Sequence, residues 1–390
     1  MAGSESKDGI VTTSPMPAPL EVRNANKTTA TRFIHAFNDD DWATVREVVA
    51  PDFVFHHPVG GSVEAGPEGM ASTWAGFKVL SPDSWHPIPI MIAEGDYVAV
   101  LLPTYGTFTG RAEHGPPPTG GRLDYGMVNM VRFDQGRLAE MWFGMDPLVE
   151  MQQLGLAPEA PERPVSTAAA ANLERFRGYI GDDWDELDNV VGFDNVVVAM
   201  GPPQSERSTS RRRVEVYRFG GTAPSRVYEH EIVTDPPYEG DPATSSDTSR
   251  DVVERWIDSV FNGRDTAALE AFVAPHLLIH PTAMPCEAGR YGLPGANEWL
   301  SEQRSAFADL AVTDHFSVAE RDIVAVRWTA RGVSIGELMG QPPTGAPVEF
   351  TGVSLYRIED GKIAEIWDTR NTRGILHQLN PELGAEGHHH

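Results

Sequence analysis

Apolar residues recur along this chain in two rhythms, and the rhythms occur twice in the same order. From about Thr28 to Asn38, and again from Asp251 to Asn262, the pattern is that of an amphipathic helix. A second, short helix is expected from Asp41 and from Asp265, each suited to cap it by accepting orphan backbone N–H groups. Pro51 and Pro275 stop those helices, and the apolar runs Phe53-Val54-Phe55 and Leu277-Leu278-Ile279 read as short strands ending in histidine. A third helix is expected around Pro67–Val79 and Leu293–Phe307. Three or four strands follow, in the first half IPIMIAEGDYVAVLLPTYG, LDYGMVNMVRF and RLAEMWFGM, with turns at Glu94-Gly95-Asp96 and Asp134-Gln135-Gly136. Helices first and a strand meander after them predict an α+β fold of two cone-shaped domains. In each, a curved antiparallel sheet wraps around helices and leaves an apolar mouth able to hold one ligand.

The duplication is explicit in the letters. FIHAFNDDDWATVREVVAPDFVFHHP at 33–58 matches IDSVFNGRDTAALEAFVAPHLLIHP at 257–281, with Phe37, Asp41, Pro51 and His56 each 224 residues before a counterpart. AEGDYVAV matches AERDIVAV, PPTG occurs twice, and VRFDQGRLAEMW matches YRIEDGKIAEIW, the offset drifting only to 226. Two copies of one domain are therefore expected, at residues 26–155 and 248–384. Residues 1–25 are expected to be a disordered leader, 156–247 a linker with a truncated helix and strand repeat or a sheet extension, and 385–390 a tag remnant. The middle stretch lacks the helix–Ala-Pro–strand–His unit, so no pocket is expected in it.

Composition narrows the function. The 390 residues carry 31 Lys+Arg against 56 Asp+Glu, a formal charge of −25, which disfavours nucleic acid and anionic membrane surfaces as partners. A 41% hydrophobic share with nine Trp is enough to build packed cores. One cysteine, Cys286, excludes an internal disulfide and a multi-thiolate zinc site. The N-terminus lacks the order of a signal peptide, and no apolar stretch approaches a membrane span. The expectation is a soluble cytoplasmic protein. No histidine pair has zinc-motif spacing, and there is no Gly-x-Ser-x-Gly elbow, Gly-x-Gly-x-x-Gly or Walker loop, so no metal and no cofactor is expected.

With the repeat laid out, the sequence resembles the SnoaL-like polyketide cyclases of the ketosteroid-isomerase-like α+β cone superfamily. The resemblance rests on the acidic helix start before Ala-Pro, the strand ending in His, Glu-Gly-Asp, Pro-Pro-Thr-Gly, the Arg-Phe/Ile-x-x-Gly-Lys/Arg-Ile/Leu-x-Glu-x-Trp run and the closing Gln-Leu-Gly. It implies an acid/base carboxylate four residues after the Trp, which is Asp146 in the first copy and Asn371 in the second; Asp368, three positions early, is expected to face elsewhere. Asp146 is a candidate base, and equally a cap for the helix from Pro147. His56 is a candidate catalytic donor to a substrate carbonyl, or a structural tie between strand and helix. His57, His86, Asn129 and Trp142 are candidate substrate contacts.

Copy one holds Asp146, His57, His86 and Asn129 where copy two has Asn371, Pro281, Val312 and Ser354, so chemistry is expected in copy one and support from copy two. The function implied is cofactor-independent, aldol-type ring closure of a polyketide-like, carbonyl-rich small molecule. Epoxide opening or another isomerisation, and non-catalytic small-molecule binding, are the rivals. The copies, or two chains, are expected to pair through their sheet faces.

Overall fold

The computed structural model describes residues 15, 18–58, 61–112, 115–158, 167–181, 189–193, 196–201, 211–218, 225–233, 237–280 and 290–380. Of the segment 1–25 expected to be disordered, residues 1–14 and 16–17 lie outside the described residues, as do the loop holding Cys286 and the residues after 380, whereas Leu20 onward is helical.

Copy one runs α1 (Leu20–Asn38), α2 (Trp42–Val48), β1 (Val49–His57), β2 (Gly61–Glu64), α3 (Gly66–Leu80), β3 (Ile90–Glu94), β4 (Tyr97–Thr107), β5 (Arg122–Asp134), β6 (Arg137–Trp142) and α4 (Pro147–Gln153). The first helix starts at Leu20, eight residues before the apolar pattern announces it, because its opening turns are mostly exposed. Asp41 caps α2 by accepting from Thr44 N, as its position predicts. The six strands lie in the order β2-β1-β6-β5-β4-β3. β1 runs parallel to β6, and the remaining pairs are antiparallel. The β5–β6 turn places Gln135 and Gly136 at φ 48° and 77°, the left-handed pair that matches strand twist in a two-residue hairpin.

The middle stretch forms α5 (Thr167–Ile180), β7 (Asn189–Phe193), β8 (Val196–Gly201), β9 (Arg211–Arg218) and β10 (Ser225–Val233). Its strands make a separate four-stranded antiparallel sheet, β10-β9-β8-β7, so it extends neither larger sheet.

Copy two repeats the first: α6 (Ser246–Arg255) continued by a π-helical stretch Trp256–Asn262, α7 (Leu269–Phe272), β11 (Val273–His280), β12 (Arg290–Tyr291), α8 (Gly292–Ala306), β13 (Phe307–Glu320), β14 (Ile323–Ser334), β15 (Pro347–Glu359), β16 (Lys362–Arg370) and α9 (Thr372–Leu379). Its sheet order, β12-β11-β16-β15-β14-β13, is the same.

Alternation along each strand sends one set of side chains to the helices and the other set out of the cone. In β5, Tyr125, Met127 and Val131 join the core of copy one, while Val128 and Met130 point away. The outward residues of both sheets are also apolar and pack together in a third core, with Tyr97, Leu101 and Trp142 against Phe316, Leu355 and Trp367. The copies thus meet sheet to sheet within one chain. Polar contacts at the edge of this interface obey a pseudo-twofold. Glu94 Oε2 accepts Ala319 N at 2.9 Å and meets Arg250 Nη2 at 2.5 Å, while Glu320 Oε2 accepts Ala93 N at 2.8 Å and meets Lys27 Nζ at 2.6 Å. The strap before copy two is pinned there too: Asp322 accepts from Tyr238 Oη at 2.8 Å and from Asp241 N at 2.5 Å.

Candidate functional site

The two cone interiors differ although their backbones agree. In copy one, His86, Phe77 and Phe143 occupy the positions that Val312, Gln303 and Asp368 hold in copy two. Phe37 packs edge-on against Trp74 at 4.8 Å and against His86 at 4.6 Å, so aromatic rings meet inside the first cone. The second cone keeps a cavity of about 30 Å³ lined by Trp299, Gln303, Trp328, Ser354, Tyr356 and Asp368, among others.

Asp368 is the carboxyl of that cavity. It sits opposite Ser354 in the β15–β16 ladder, and cross-strand partners share a face. Trp328 Nε1 donates to Ser354 Oγ at 2.8 Å, which directs the serine proton to Asp368 Oδ1 at 2.5 Å. Burial raises the Asp368 carboxyl above its ordinary range, against the pull of the Ser354 bond and the Arg370 charge. Tyr356 is pushed up by burial and then by the Asp368 charge. Arg370 Nη1 donates to Gln303 Oε1 at 2.6 Å on the same wall. A protonatable oxygen held in an apolar cone beside hydroxyl, amide and guanidinium groups can move a proton and steady an oxyanion.

The residues singled out in copy one are placed otherwise. Asp146 caps α4, accepting Leu148 N at 3.1 Å, and its second oxygen accepts from Thr372 Oγ1 of copy two. Burial lifts it to about 6, countered by Thr372, Arg370 and Leu148. It belongs to the seam between copies and lines neither this cavity nor the cleft described next. Its counterpart Asn371 caps α9 through Gly374 N at 2.7 Å and donates to Pro58 O at 2.5 Å.

His56 does not enter the cone. It points outward, stacked on Trp142 with centroids 5.0 Å apart, with Nε2 on Glu140 at 2.7 Å and Nδ1 on Ser62 at 2.6 Å. Arg132 Nε holds the other oxygen of Glu140 at 3.0 Å. Burial alone would raise Glu140; the bonds from His56 and Arg132 outweigh it and leave the carboxyl below its usual range. Copy two repeats the arrangement fully buried, with His280 stacked on Trp367 and bonded to Glu365, which Arg357 holds. Trp142 is likewise an interface residue rather than part of the cone wall.

His57 turns inward against Phe55 and Phe143, and burial lowers it to about 4. His86 is lowered to about 3 by burial and then by the Lys78 charge, so it packs as a neutral ring. Asn129 does face the cone, and its Oδ1 accepts from Gly144 N at 3.2 Å.

A cleft of about 430 Å³ lies where the copies meet, lined by His56, Ser62 and Trp142 from one side and Arg327, Thr351 and Asn371 from the other. Among the described residues no group of three or more His, Cys, Asp or Glu is placed to hold a metal ion. No helix among them is long and apolar enough to cross a membrane.

Asp368, expected to face elsewhere, faces the cone: Ser354, the counterpart of cone-facing Asn129, pairs with it across β15 and β16, and cross-strand partners share a face. This cavity and its inward carboxyl lie in copy two, whereas Asp146 lies at the seam between the copies.

No curated protein matches the chain. Among solved structures it is similar to AclR from Streptomyces galilaeus, at 26% identity over 35% of this chain and 98% of that one, with a TM-score of 0.32. It is similar to IdmH from Streptomyces antibioticus, described as a polyketide cyclase, at 31% identity over 33% of this chain and 98% of that one, with a TM-score of 0.30. TsrD from Streptomyces laurentii matches at 25% identity over 36% of this chain and 97% of that one, with a TM-score of 0.31. The family model for SnoaL-like polyketide cyclase matches residues 27–154 and again 251–379, the two copies just described, and the chain belongs to that family.

Proposed function

We propose that the protein catalyses cofactor-independent ring closure or isomerisation of a small carbonyl-rich molecule, with Asp368 as the proton carrier in the second cone. The observation that carries this reading is the Trp328–Ser354–Asp368 chain, which ends on a half-buried carboxyl inside the cavity. A carboxyl with a raised pKa suits removal of an activated proton beside a carbonyl near neutral pH. Tyr356 and Arg370 lie on the same wall to meet the enolate oxygen. At about 30 Å³ the cavity has room for about one water, so a substrate displaces side chains as it enters. Phe261 and Trp299, an edge-on pair 5.4 Å apart and only half buried, have the freedom to yield.

The test needs no natural substrate. Deuterium uptake at the activated carbon of a β-keto ester in heavy water, followed by proton NMR, should be accelerated by the protein. Asp368→Asn should lose about 10²–10⁴ of that rate, while Asp146→Asn should keep most of it. Undiminished exchange in Asp368→Asn would sink the assignment.

A further inference from the structure

The cleft between the copies holds a constellation that the cone chemistry does not use. Ser62 stands directly opposite His56 in the β1–β2 ladder, which brings its Oγ to 2.6 Å from His56 Nδ1. The other ring nitrogen meets Glu140 at 2.7 Å, and Arg132 fixes that carboxylate from behind at 3.0 Å. An ionised carboxylate only accepts hydrogen bonds, so Nε2 carries the proton and Nδ1 presents its lone pair to the serine. Trp142, stacked on the imidazole within 9° of parallel, holds the ring in that plane. Nucleophile, base and orienting carboxylate are thus in line and within hydrogen-bond reach, the geometry that activates a serine hydroxyl.

Access separates this arrangement from its twin. In copy two the corresponding His280 and Glu365 side chains are wholly buried, whereas His56 and Glu140 are 11% and 18% exposed and Ser62 is exposed. The cleft they line, about 430 Å³, is within the size range of sites that take small molecules. Its far wall brings Arg327, whose guanidinium carbon lies 6.0 Å from the centre of the Trp142 ring, and so adds a positive charge to the cleft lining that favours an anionic adduct.

We propose that Ser62, His56 and Glu140 form an acyl-transfer site in the inter-copy cleft, acting on a small activated ester. Ser62 Oγ bonds to the ester carbonyl carbon as its proton passes to His56 Nδ1. The tetrahedral adduct collapses, the bond to the leaving oxygen breaks, and that oxygen takes the proton from His56. Water repeats the sequence, giving up a proton to His56 as it attacks the acyl-serine, and releases the carboxylic acid with Ser62 restored. The balance is ester plus water to acid plus alcohol. Glu140 is a positioning residue, since it acts through the imidazole.

Ser62 lies on the exposed edge strand β2, so Ser62→Ala leaves the packing untouched. The intact chain is treated with a fluorophosphonate probe and digested for mass spectrometry, and release of p-nitrophenol from p-nitrophenyl acetate is followed in parallel. The expected result is one adduct, on the Ser62 peptide, lost in Ser62→Ala together with ester turnover. Adduct formation should slow about 10²-fold or more in His56→Gln, and its rate in the unaltered chain should rise with pH through a single ionisation. Absence of an adduct on Ser62, a flat pH profile, or labelling undiminished in a folded His56→Gln each overturns the proposal. The readout does not involve cone two, so it is decided independently of the role of Asp368.

Discussion

A Cβ on Gly352 would lie 2.3 Å from the backbone oxygen of Thr369 and 2.3 Å from Cζ2 of Trp328, so backbone and indole together occupy the room a side chain would need. Trp328 and Gly352 are cross-strand partners, and copy one places Leu102 opposite Met127 at the aligned pair. This exchange of large for absent and medium for large is what lets Trp328 reach Ser354 and orient Asp368. Gly352→Ala should displace the ring, cost about 2 kcal/mol by overpacking and weaken the Asp368 chemistry; urea midpoints and indole fluorescence check it, and an unchanged midpoint would mean the ring has space. Asp146 makes a second residue-scale prediction. Its carboxyl titrates near 6 in the fold against 3.8 as the ordinary value, so the native state holds the proton more tightly. That contribution is full below about pH 4 and is lost as pH rises through 6, about 3 kcal/mol in all. Asp146→Asn still caps α4 and carries no charge to desolvate, so its stability relative to the parent should grow across that window. Parallel urea curves at pH 4 and pH 7, with no change in the difference, would refute this.

At the scale of elements, the parallel pairs β1–β6 and β11–β16, each with an arginine from the neighbouring β5 or β15, carry the same His–Glu–Arg assembly, yet burial makes the two unequal. Removing one partner of a buried, bonded charged group leaves the other without compensation. His280→Gln should therefore cost about 3 kcal/mol, because Glu365 is fully enclosed. His56→Gln should cost about 1 kcal/mol, because water in the cleft reaches Glu140. Thermal midpoints of the two variants give the comparison directly; equal losses would show that the cleft does not solvate Glu140. The strand ends β3 and β13 follow a similar symmetric plan, each glutamate binding the other copy's backbone and a cation from α6 or α1.

For the whole molecule, the paired sheet faces decide shape. The outward residues Trp142, Leu101, Leu355 and Trp367 are buried only because the other copy covers them. The interface is isologous in the manner of a two-fold dimer, although one chain supplies both halves. Small-angle scattering should report one particle whose copies do not tumble independently. Leu355→Arg, which places a charge in the sheet–sheet core, should separate the lobes and raise the radius of gyration, and a particle of unchanged size would contradict that account.

Two repeats, most of their helix and strand order, the Asp41 cap and the turn at Asp134-Gln135-Gly136 were legible in the residues, since each rests on local spacing or on residue types suited to caps and turns, whereas the short strands β2 and β12 carry no such signal. Apolar residues on both faces of the strands also announced that something must cover the outer face. Which face His56 took was not legible, because period-two alternation fixes relative parity and not the direction of the core. The same gap hid Asp368: counting from Trp367 said nothing until the pairing of β15 with β16 set Ser354 beside it. Whether a cone is open or filled depends on residues far apart in sequence, His86, Phe77 and Phe143 in one copy and Val312, Gln303 and Asp368 in the other. The fold alone brings them to one point, where the second cone keeps its cavity and, in the first, His86 packs against Phe37.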